Sequence, residues 1–116
     1  SVDSSGLYIR FRELVDLNFD KQRKVKTYAD NLGITDKKLT TICHEYSNMS
    51  PLEIIHEKLS LELKKALMDH SATFKELTFR FGFSSQSSLN KYIHREFLCT
   101  PSEFKEKVHK MLLGEK

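Results

Sequence analysis

Two sets of polar side chains recur in the sequence at a constant separation of fifty residues. Each set holds ammonium, hydroxyl, amide or imidazole groups, the kinds that can hydrogen-bond to base edges in the major groove of DNA. Lysine can donate to guanine, asparagine can bond adenine twice, and serine or threonine can bond bases or phosphates. The candidate DNA-contacting residues are Lys37, Thr40, Thr41 and His44 in the first set and Ser87, Asn90, Lys91 and His94 in the second.

The α-helical period predicts that each polar set lies opposite a buried apolar stripe. At about 100° per residue, Lys37, Thr41 and His44 face away from Leu39, with Thr40 at their flank. Ser87, Lys91 and His94 likewise face away from Leu89, with Asn90 beside them. A polar face of this kind is most often an ordinary solvent-exposed surface, so periodicity alone does not assign DNA contact. The residues predicted to point inward are Leu39, Ile42, Cys43 and Tyr46 in the first segment and Leu89, Tyr92 and Ile93 in the second.

Matching glycine turns precede the two candidate helices. Gly33 and Gly82 each follow a short amphipathic segment, and glycine tolerates the positive φ that a sharp turn between helices needs. The next residue, Ile34 or Phe83, is apolar and can fill the corner between the helices. Helix, glycine turn and helix is the arrangement of the helix-turn-helix DNA-binding motif. One such turn is a weak signal, but two in matching register favour DNA contact.

A helix-start signal follows each candidate helix. Residues 50–53 (SPLE) and 100–103 (TPSE) combine a capping hydroxyl, a proline at the first helical position and a glutamate that completes a capping box. Apolar periodicity accounts for the remaining segments, and no alternating run competes with helices. The sequence therefore predicts an all-α fold of seven helices, over about residues 7–18, 25–32, 35–47, 51–69, 73–81, 86–97 and 101–113.

These helices are predicted to form two helix-turn-helix subdomains, residues 7–50 and 70–113, joined by a long linker helix over residues 51–69. Residues 1–6 are expected to be a flexible lead-in or an expression scar on a fragment of a longer protein. The linker helix would span about 28 Å, against about 34 Å for one turn of DNA, which favours binding in adjacent major grooves. Its apolar residues cover a wide arc, as a helix wedged between two subdomains requires: Ile54, Ile55, Leu59, Leu61, Leu63, Ala66, Leu67 and Met68.

From about Leu7 to His109 the sequence resembles the DNA-binding domain of the AraC/XylS family of bacterial transcription regulators. The most specific stretches are residues 82–89 (GFSSQSSL) and 100–104 (TPSEF), which are similar to the family's second-motif signature, while residues 32–51 match the first motif more loosely. The family's frequent glycine after each recognition helix is replaced by Asn48 and Leu98. The resemblance implies sequence-specific binding of double-stranded DNA through Lys37, Thr40, Thr41, Ser87, Asn90 and Lys91.

The resemblance also implies a cytoplasmic regulator that works with RNA polymerase and has a sensor or effector domain outside this chain. Phosphate contacts are expected where helices begin and from flanking bases. The candidate phosphate-contacting residues are Thr35, Lys38, Ser85 and Arg95. His44 and His94 are expected to lie one turn further along, where a recognition helix approaches the phosphate backbone.

Composition narrows the alternatives. The 116 residues carry a net charge of +3, which supports a nucleic-acid partner only where the charge is clustered. No apolar run reaches the ~20 residues of a membrane span. The sequence lacks a glycine-rich phosphate loop, an HExxH pair and a nucleophile elbow, so we expect no enzyme and no cofactor.

Three other interpretations of the residues carry less weight. Cys43 beside His44 suggests a nucleophile, but Cys43 belongs to the buried stripe. No two histidines lie three or four residues apart, so we expect no metal site. The open alternative is a helical protein-interaction module that kept the fold and lost DNA binding, and the modest net charge allows it.

Overall fold

The computed structural model describes residues 3–69 and 71–114, and over these residues the regular secondary structure is entirely helical, with no strand. This confirms the predicted all-α fold of seven helices. They are α1 (Ser4–Asn18), α2 (Val25–Leu32), α3 (Asp36–Ser47), α4 (Pro51–Leu67), α5 (Phe74–Arg80), α6 (Gln86–Phe97) and α7 (Pro101–Leu112).

Helix α1 begins earlier than the sequence predicts. Asp3 is its N-cap, and the Asp3 carboxylate accepts a hydrogen bond of 2.9 Å from the Gly6 backbone N–H. This side-chain acceptor satisfies one of the free N–H groups of the first turn. The expectation of a flexible lead-in over residues 1–6 is therefore wrong for residues 4–6, which form the first turn of α1. Residues 1 and 2 lie outside the described residues.

The chain divides into two compact units between Leu59 and Ser60, within α4. In the first unit, α1 packs against α2 and α3, and the start of α4 closes the core. The Phe11 ring meets the Tyr28 ring edge-on, with centroids 5.6 Å apart. The Tyr28 hydroxyl donates to the Gln22 carbonyl at 2.7 Å, so its polar end is satisfied inside an apolar cluster. One core cluster of this unit comprises Phe11, Val15, Tyr28, Ala29, Leu39, Cys43, Ile54 and Ile55, and Ile42 and Leu59 are buried as well.

The second unit is built around α6, which packs against α5 and α7. The Phe83 ring lies 5.4 Å from the Tyr92 ring, and the Phe97 ring lies 5.0 Å from the Phe104 ring, measured between centroids. The end of α4 contributes buried side chains to the same unit. Its buried apolar residues are Leu63, Ala66, Leu67, Leu77, Phe81, Leu89, Tyr92, Ile93 and Cys99.

The two predicted glycine turns have the same geometry. Gly33 has φ of 70° and Gly82 has φ of 71°, both in the left-handed region. In each turn the glycine N–H donates to the carbonyl three residues back, at 3.1 Å. The Ile34 and Phe83 N–H groups donate to the carbonyls five residues back, at 3.1 Å and 2.9 Å. The duplication seen in the sequence is therefore a duplication of backbone structure.

Helix α4 departs from prediction in its length and its outer face. It ends at Leu67 instead of Asp69, because the Asp69 carboxylate accepts hydrogen bonds from the Ser71 N–H and hydroxyl and so stabilises a turn there. Leu61 is 48% exposed and Met68 is 42% exposed, so the apolar arc is narrower than predicted. His70, the first residue of the predicted second subdomain, lies outside the described residues.

Candidate nucleic-acid interface

Helix α3 is fixed at both ends by local hydrogen bonds. The Thr35 hydroxyl oxygen accepts the Lys38 N–H at 3.0 Å and caps the first turn. At the other end, Asn48 has φ of 58°, and its N–H donates to the His44 carbonyl at 3.1 Å. Leu39 is fully buried, so the side chains opposite it point outward.

Helix α6 repeats this arrangement with a stronger cap. The Ser85 hydroxyl oxygen accepts the Ser88 N–H at 3.1 Å, and the Ser88 hydroxyl oxygen accepts the Ser85 N–H at 3.2 Å, which completes a capping box. Leu98 ends the helix with φ of 57°, and its N–H donates to the His94 carbonyl at 3.0 Å. Leu89 is fully buried, as Leu39 is in α3.

The predicted contact residues lie on the outward faces of α3 and α6. Thr40 is half-buried, and the other seven are exposed. The predicted inward stripe of α6 is buried as expected, with Tyr92 5% exposed and Ile93 fully buried. The exposed members are Lys37, Thr41 and His44 on α3 and Ser87, Asn90, Lys91 and His94 on α6, and the four candidate phosphate contacts Thr35, Lys38, Ser85 and Arg95 are exposed as well.

One predicted inward residue of α3 is not buried. Tyr46 is 44% exposed, so its place in the inward stripe is wrong. Its ring stacks on the Tyr8 ring of α1, with centroids 5.4 Å apart. Tyr46 therefore lies at the edge of the core, with one side of its ring against Tyr8 of α1 and part of its surface exposed to solvent.

The threonine hydroxyls on α3 have a defined hydrogen-bonding direction. Thr40 donates to the Asp36 carbonyl at 2.9 Å, and Thr41 donates to the Lys37 carbonyl at 3.0 Å. With the proton engaged by the helix backbone, each hydroxyl oxygen keeps its two lone pairs and acts towards a partner as an acceptor. Such an oxygen suits an amino donor, adenine N6 or cytosine N4, and the threonine methyl suits the methyl group of thymine.

The two helices differ in charge, because α6 is modestly positive and α3 is close to neutral. Helix α6 carries Lys91 and Arg95 against Glu96, while on α3 the charges of Lys37 and Lys38 are balanced by two acids. The Arg95 guanidinium lies 3.5 Å from the Glu96 carboxylate and over the Tyr92 ring at 5.5 Å. The Arg95 side chain is 67% exposed, so its donors remain accessible on the outer surface of α6.

Cys43 does not have the environment of a nucleophile. It is fully buried, and burial raises the pKa of its thiol to about 11. The reactive thiolate form is therefore scarce at neutral pH. Both cysteines are free and buried. Within residues 3–69 and 71–114, no group of three or more His, Cys, Asp or Glu side chains could hold a metal ion.

Two residues beside Asn90 are absent from the sequence predictions. Ser102 and Lys105, in the first turns of α7, line a cavity of about 280 Å³ together with Asn90 and Phe74. Their proximity depends on how α7 crosses α6, and no periodicity within one helix reveals such a crossing. In the first copy the residue equivalent to Lys105 is Ile55, which is fully buried. The lysine beside the recognition helix is therefore a feature of the second copy and not of the first.

Comparison with known proteins identifies a matching domain family and a solved structure with a similar fold. The family described as "Helix-turn-helix domain" matches residues 28–107. A crystal structure of a probable AraC family transcriptional regulator from Rhodopseudomonas palustris CGA009 has a TM-score of 0.64 to this chain. It is 14% identical in sequence, and the match covers 87% of this chain and 95% of that one. This likeness shows the shared fold.

The curated relative is much longer than this chain. "Histidine kinase P4" from Formosa agariphila is 24% identical over 110 residues, which are 92% of this chain. The chain spans only 8% of the length of that relative.

Among the residues that the structure describes, no helix is long and apolar enough to cross a membrane.

The chain belongs to the helix-turn-helix domain family that matches most of its length. The solved structure shares the fold that the AraC/XylS resemblance implies. The family match makes the chain a helix-turn-helix DNA-binding domain of the kind found in transcription regulators. Each of the two copies in the domain contains one glycine turn, one polar outward face and one helix that begins at a proline.

Proposed function

We propose that the chain binds double-stranded DNA in a sequence-specific manner, with α3 and α6 as recognition helices that enter adjacent major grooves. The observation that carries the proposal is the matched exposure of two polar faces opposite Leu39 and Leu89, each behind a glycine turn of the same geometry. The side chains on both faces are of the kinds that hydrogen-bond to base edges and phosphates. The contacts proposed are Lys37, Thr40, Thr41 and His44 from α3 and Ser87, Asn90, Lys91 and His94 from α6.

Each side chain has a role that follows from its chemistry. Lys37 and Lys91 donate to guanine O6 and N7, and Asn90 reads adenine through a donor and an acceptor. Thr40 and Thr41 accept from amino groups of bases. The imidazoles at the ends of the two faces reach phosphate.

The proposed phosphate contacts surround the two recognition helices. Thr35 and Ser85 use their oxygens to accept backbone N–H groups, and their hydroxyl protons remain to be donated to a phosphate. Lys38 and Arg95 supply positive charge. Phosphate contacts fix the position of the domain on the duplex without reading its sequence.

The test replaces Asn90 and Lys91 by alanine and compares affinities for the parent's preferred duplex and for duplexes changed at single positions. Loss of a bidentate base contact should cost about 1–3 kcal/mol on the preferred base and relax preference at that position alone. Lys37→Ala should do the same in the other half of the site. Lys110→Ala is the matched control, because it removes an equal charge from an exposed lysine near the end of α7 that pairs with Glu106.

The protein-interaction alternative makes a different forecast in the same experiment. A module that has lost DNA binding would show weak, sequence-independent affinity, and all four alanine variants would behave alike. Single-base changes separate the two interpretations, and binding through several phosphates, specific or not, gives an affinity that falls steeply with salt. A slope near zero would rule out the proposed interface.

We also propose that the domain acts inside a longer cytoplasmic regulator whose sensing part is separate and whose output reaches RNA polymerase. Support comes from the relative named Histidine kinase P4, in which the matching region is a small part of a long chain. The direct test is to place the binding site at set distances from a promoter and measure transcription with purified polymerase and this domain. Transcription that does not depend on the site would contradict the role of polymerase as partner.

A further inference from the structure

The cavity beside α6 has polar side chains from two helices on its walls. Asn90 of α6 lines it together with Ser102 and Lys105 of α7, and Phe74 and Pro101 line it as well. Its volume of about 280 Å³ is several times the ~30 Å³ that one water molecule takes up in the liquid, so a phosphate group can enter it. We call the space bounded by Asn90, Ser102 and Lys105 the α7 cleft.

The polar groups of the α7 cleft are available to a ligand. Asn90 and Ser102 are exposed, and Lys105 is half-buried. Over the described part of the chain, the Lys105 ammonium forms no ion pair, and the Asn90 and Ser102 side chains make no hydrogen bond. The cleft therefore presents ammonium, hydroxyl and amide donors that the fold itself does not use.

The charge at the α7 cleft is positive. Of the described residues that line it, Lys105 alone is charged. At about 100° per residue, His109 lies about 40° from Lys105 around α7. The acids of α7 lie further round, Glu106 by about 100° and Glu103 by about 160°. The Glu106 carboxylate is also 3.4 Å from the Lys110 ammonium.

The acids of the two neighbouring helices also point away from the cleft. On α6, Glu96 lies about 120° round the helix from Asn90. On α5, Glu76 lies about 160° round from Phe74. The ligand that suits the cleft is therefore an anion with several hydrogen-bond acceptors.

The first copy has apolar residues at the equivalent positions. Leu52 and Ile55 lie fifty residues before Ser102 and Lys105. Ile55 is fully buried, whereas no residue of α7, all of which the structure describes, is buried. Leucine and isoleucine side chains have no hydrogen-bond donor. The chemistry of the α7 cleft is therefore specific to the second copy.

We propose that the α7 cleft binds a phosphate of the duplex, next to the base that Asn90 reads. The Lys105 ammonium and the Ser102 hydroxyl donate to the phosphate oxygens. Continuity with the proposed DNA interface carries the choice of ligand, because Asn90 belongs to that interface and also lines the cleft. The proposal rests on the proposed DNA binding and adds to it a contact made by α7.

This contact makes the two halves of the bound site unequal. A phosphate contact fixes the position of a recognition helix on the duplex without reading a base. In the half of the site bound by α6, the next helix supplies such a contact through Lys105. In the half bound by α3, the equivalent Ile55 lies in the core and supplies none.

Salt dependence measures the contact. The logarithm of affinity falls with the logarithm of salt concentration by about 0.9 for each phosphate that the protein neutralises. Lys105→Met removes the charge and keeps most of the aliphatic chain, so this slope should become shallower by about 0.9. The affinity ratio of parent to variant should therefore fall about 3.5-fold between about 50 and about 200 mM salt. Lys105→Arg keeps the charge and should keep the slope of the parent.

Lys107→Met is the matched control. Lys107 is an exposed lysine of the same helix, and it lines a different groove, together with Phe97 and Met111. Its replacement should leave the slope as in the parent. An unchanged slope in Lys105→Met, or the same change in Lys107→Met, would overturn the proposal. Thermal unfolding of each variant separates loss of the contact from loss of the fold, since a purely structural lysine would alter stability and leave the slope unchanged.

Neutral replacements in the DNA locate the phosphate. Duplexes would each carry one methylphosphonate, which lacks the phosphate charge, at successive positions of the preferred site. At the contacted position the parent should lose affinity and Lys105→Met should lose no more, because the two changes remove the same interaction. That position should lie in the half-site whose base preference changes in Lys91→Ala. Coupling found only in the other half-site, or at no position, would refute the assignment.

Base preference separates this proposal from the proposed function. Lys105→Met should keep the preference of the parent at every base, since a phosphate contact carries no sequence information. If Lys91→Ala changes the preference and Lys105→Met leaves the salt slope unchanged, only the α7 contact is wrong. If Lys105→Met changes the slope and no sequence is preferred, only sequence-specific recognition is wrong. Absence of binding to any duplex would overturn both.

Discussion

Leu98 is expected to be replaceable by glycine with a gain in stability. The residue ends α6 with φ of 57° and ψ of 32°, a left-handed conformation that side chains with a Cβ rarely adopt. Its side chain is 84% exposed. The local backbone therefore strains a leucine that contributes little to the core.

The magnitude follows from three contributions. Release from the left-handed conformation stabilises the variant by about 1–2 kcal/mol. The greater flexibility of glycine in the unfolded chain costs about 0.5–1 kcal/mol. Loss of the small buried part of the leucine side chain costs about 0.2–0.5 kcal/mol. Leu98→Gly should therefore be more stable than the parent by about 0.5 kcal/mol.

Urea unfolding of the two proteins measures this difference, provided that the dependence of the unfolding free energy on urea is unchanged. Gly33→Ala is the matched control of opposite sign. Gly33 has φ of 70°, and a Cβ there would meet no heavy atom within 4 Å, so only the backbone strain is tested. That variant should lose about 0.5–1 kcal/mol. A Leu98→Gly variant less stable than the parent by about 1 kcal/mol or more, the size of an ordinary destabilising substitution, would refute the reasoning.

Three further predictions concern the caps and the core. Hydrogen bonds from the Thr100 backbone and hydroxyl lower the pKa of Glu103 below 4.5. The stability that the Glu103 carboxylate adds is therefore present above pH 4.5 and is lost as the pH falls through the lowered pKa. The difference in thermal unfolding between the parent and Glu103→Gln should disappear in acid, and an unchanged difference would contradict this. Ser50→Ala should cost about 0.5–2 kcal/mol in urea unfolding, because the Glu53 N–H loses its acceptor. The Cys43 thiol should react with a disulfide reagent only at the rate of unfolding, since burial raises its pKa to about 11, and fast labelling of the folded protein would contradict its buried position.

Features that depend on neighbouring residues alone are predictable from the sequence. The turns at Gly33 and Gly82 follow from the conformational freedom of glycine, and the capping boxes at Ser50 and Thr100 follow from side chains three residues apart. The outward faces of α3 and α6 follow from the helical period. The sequence therefore predicts the seven helices and the exposure of every candidate contact except Thr40, which is half-buried.

Features that depend on packing between helices are not predictable in this way. The partial exposure of Tyr46 depends on where Tyr8 of α1 lies, and the position of Lys105 beside Asn90 depends on the crossing of α7 and α6. The early start of α1 is a different case, because glycine and serine are poor helix formers and obscure it, although Asp3 supplies the cap. Predictions from local propensity and periodicity are therefore least accurate where a contact between helices sets the exposure of a side chain, or where a capping residue sets the start of a helix.

Selection of duplexes from a random pool by the purified domain tests sequence-specific recognition most directly, because the preferred site emerges from the selection itself. We expect enrichment of duplexes with two preferred half-sites whose centres lie about 10–10.5 base pairs apart, one half-site for α3 and one for α6. Selection with Lys91→Ala should change the preference in one half-site and leave the other intact. A pool that shows no enrichment, or one whose preferences are the same for the parent and Lys91→Ala, would contradict recognition by these two helices.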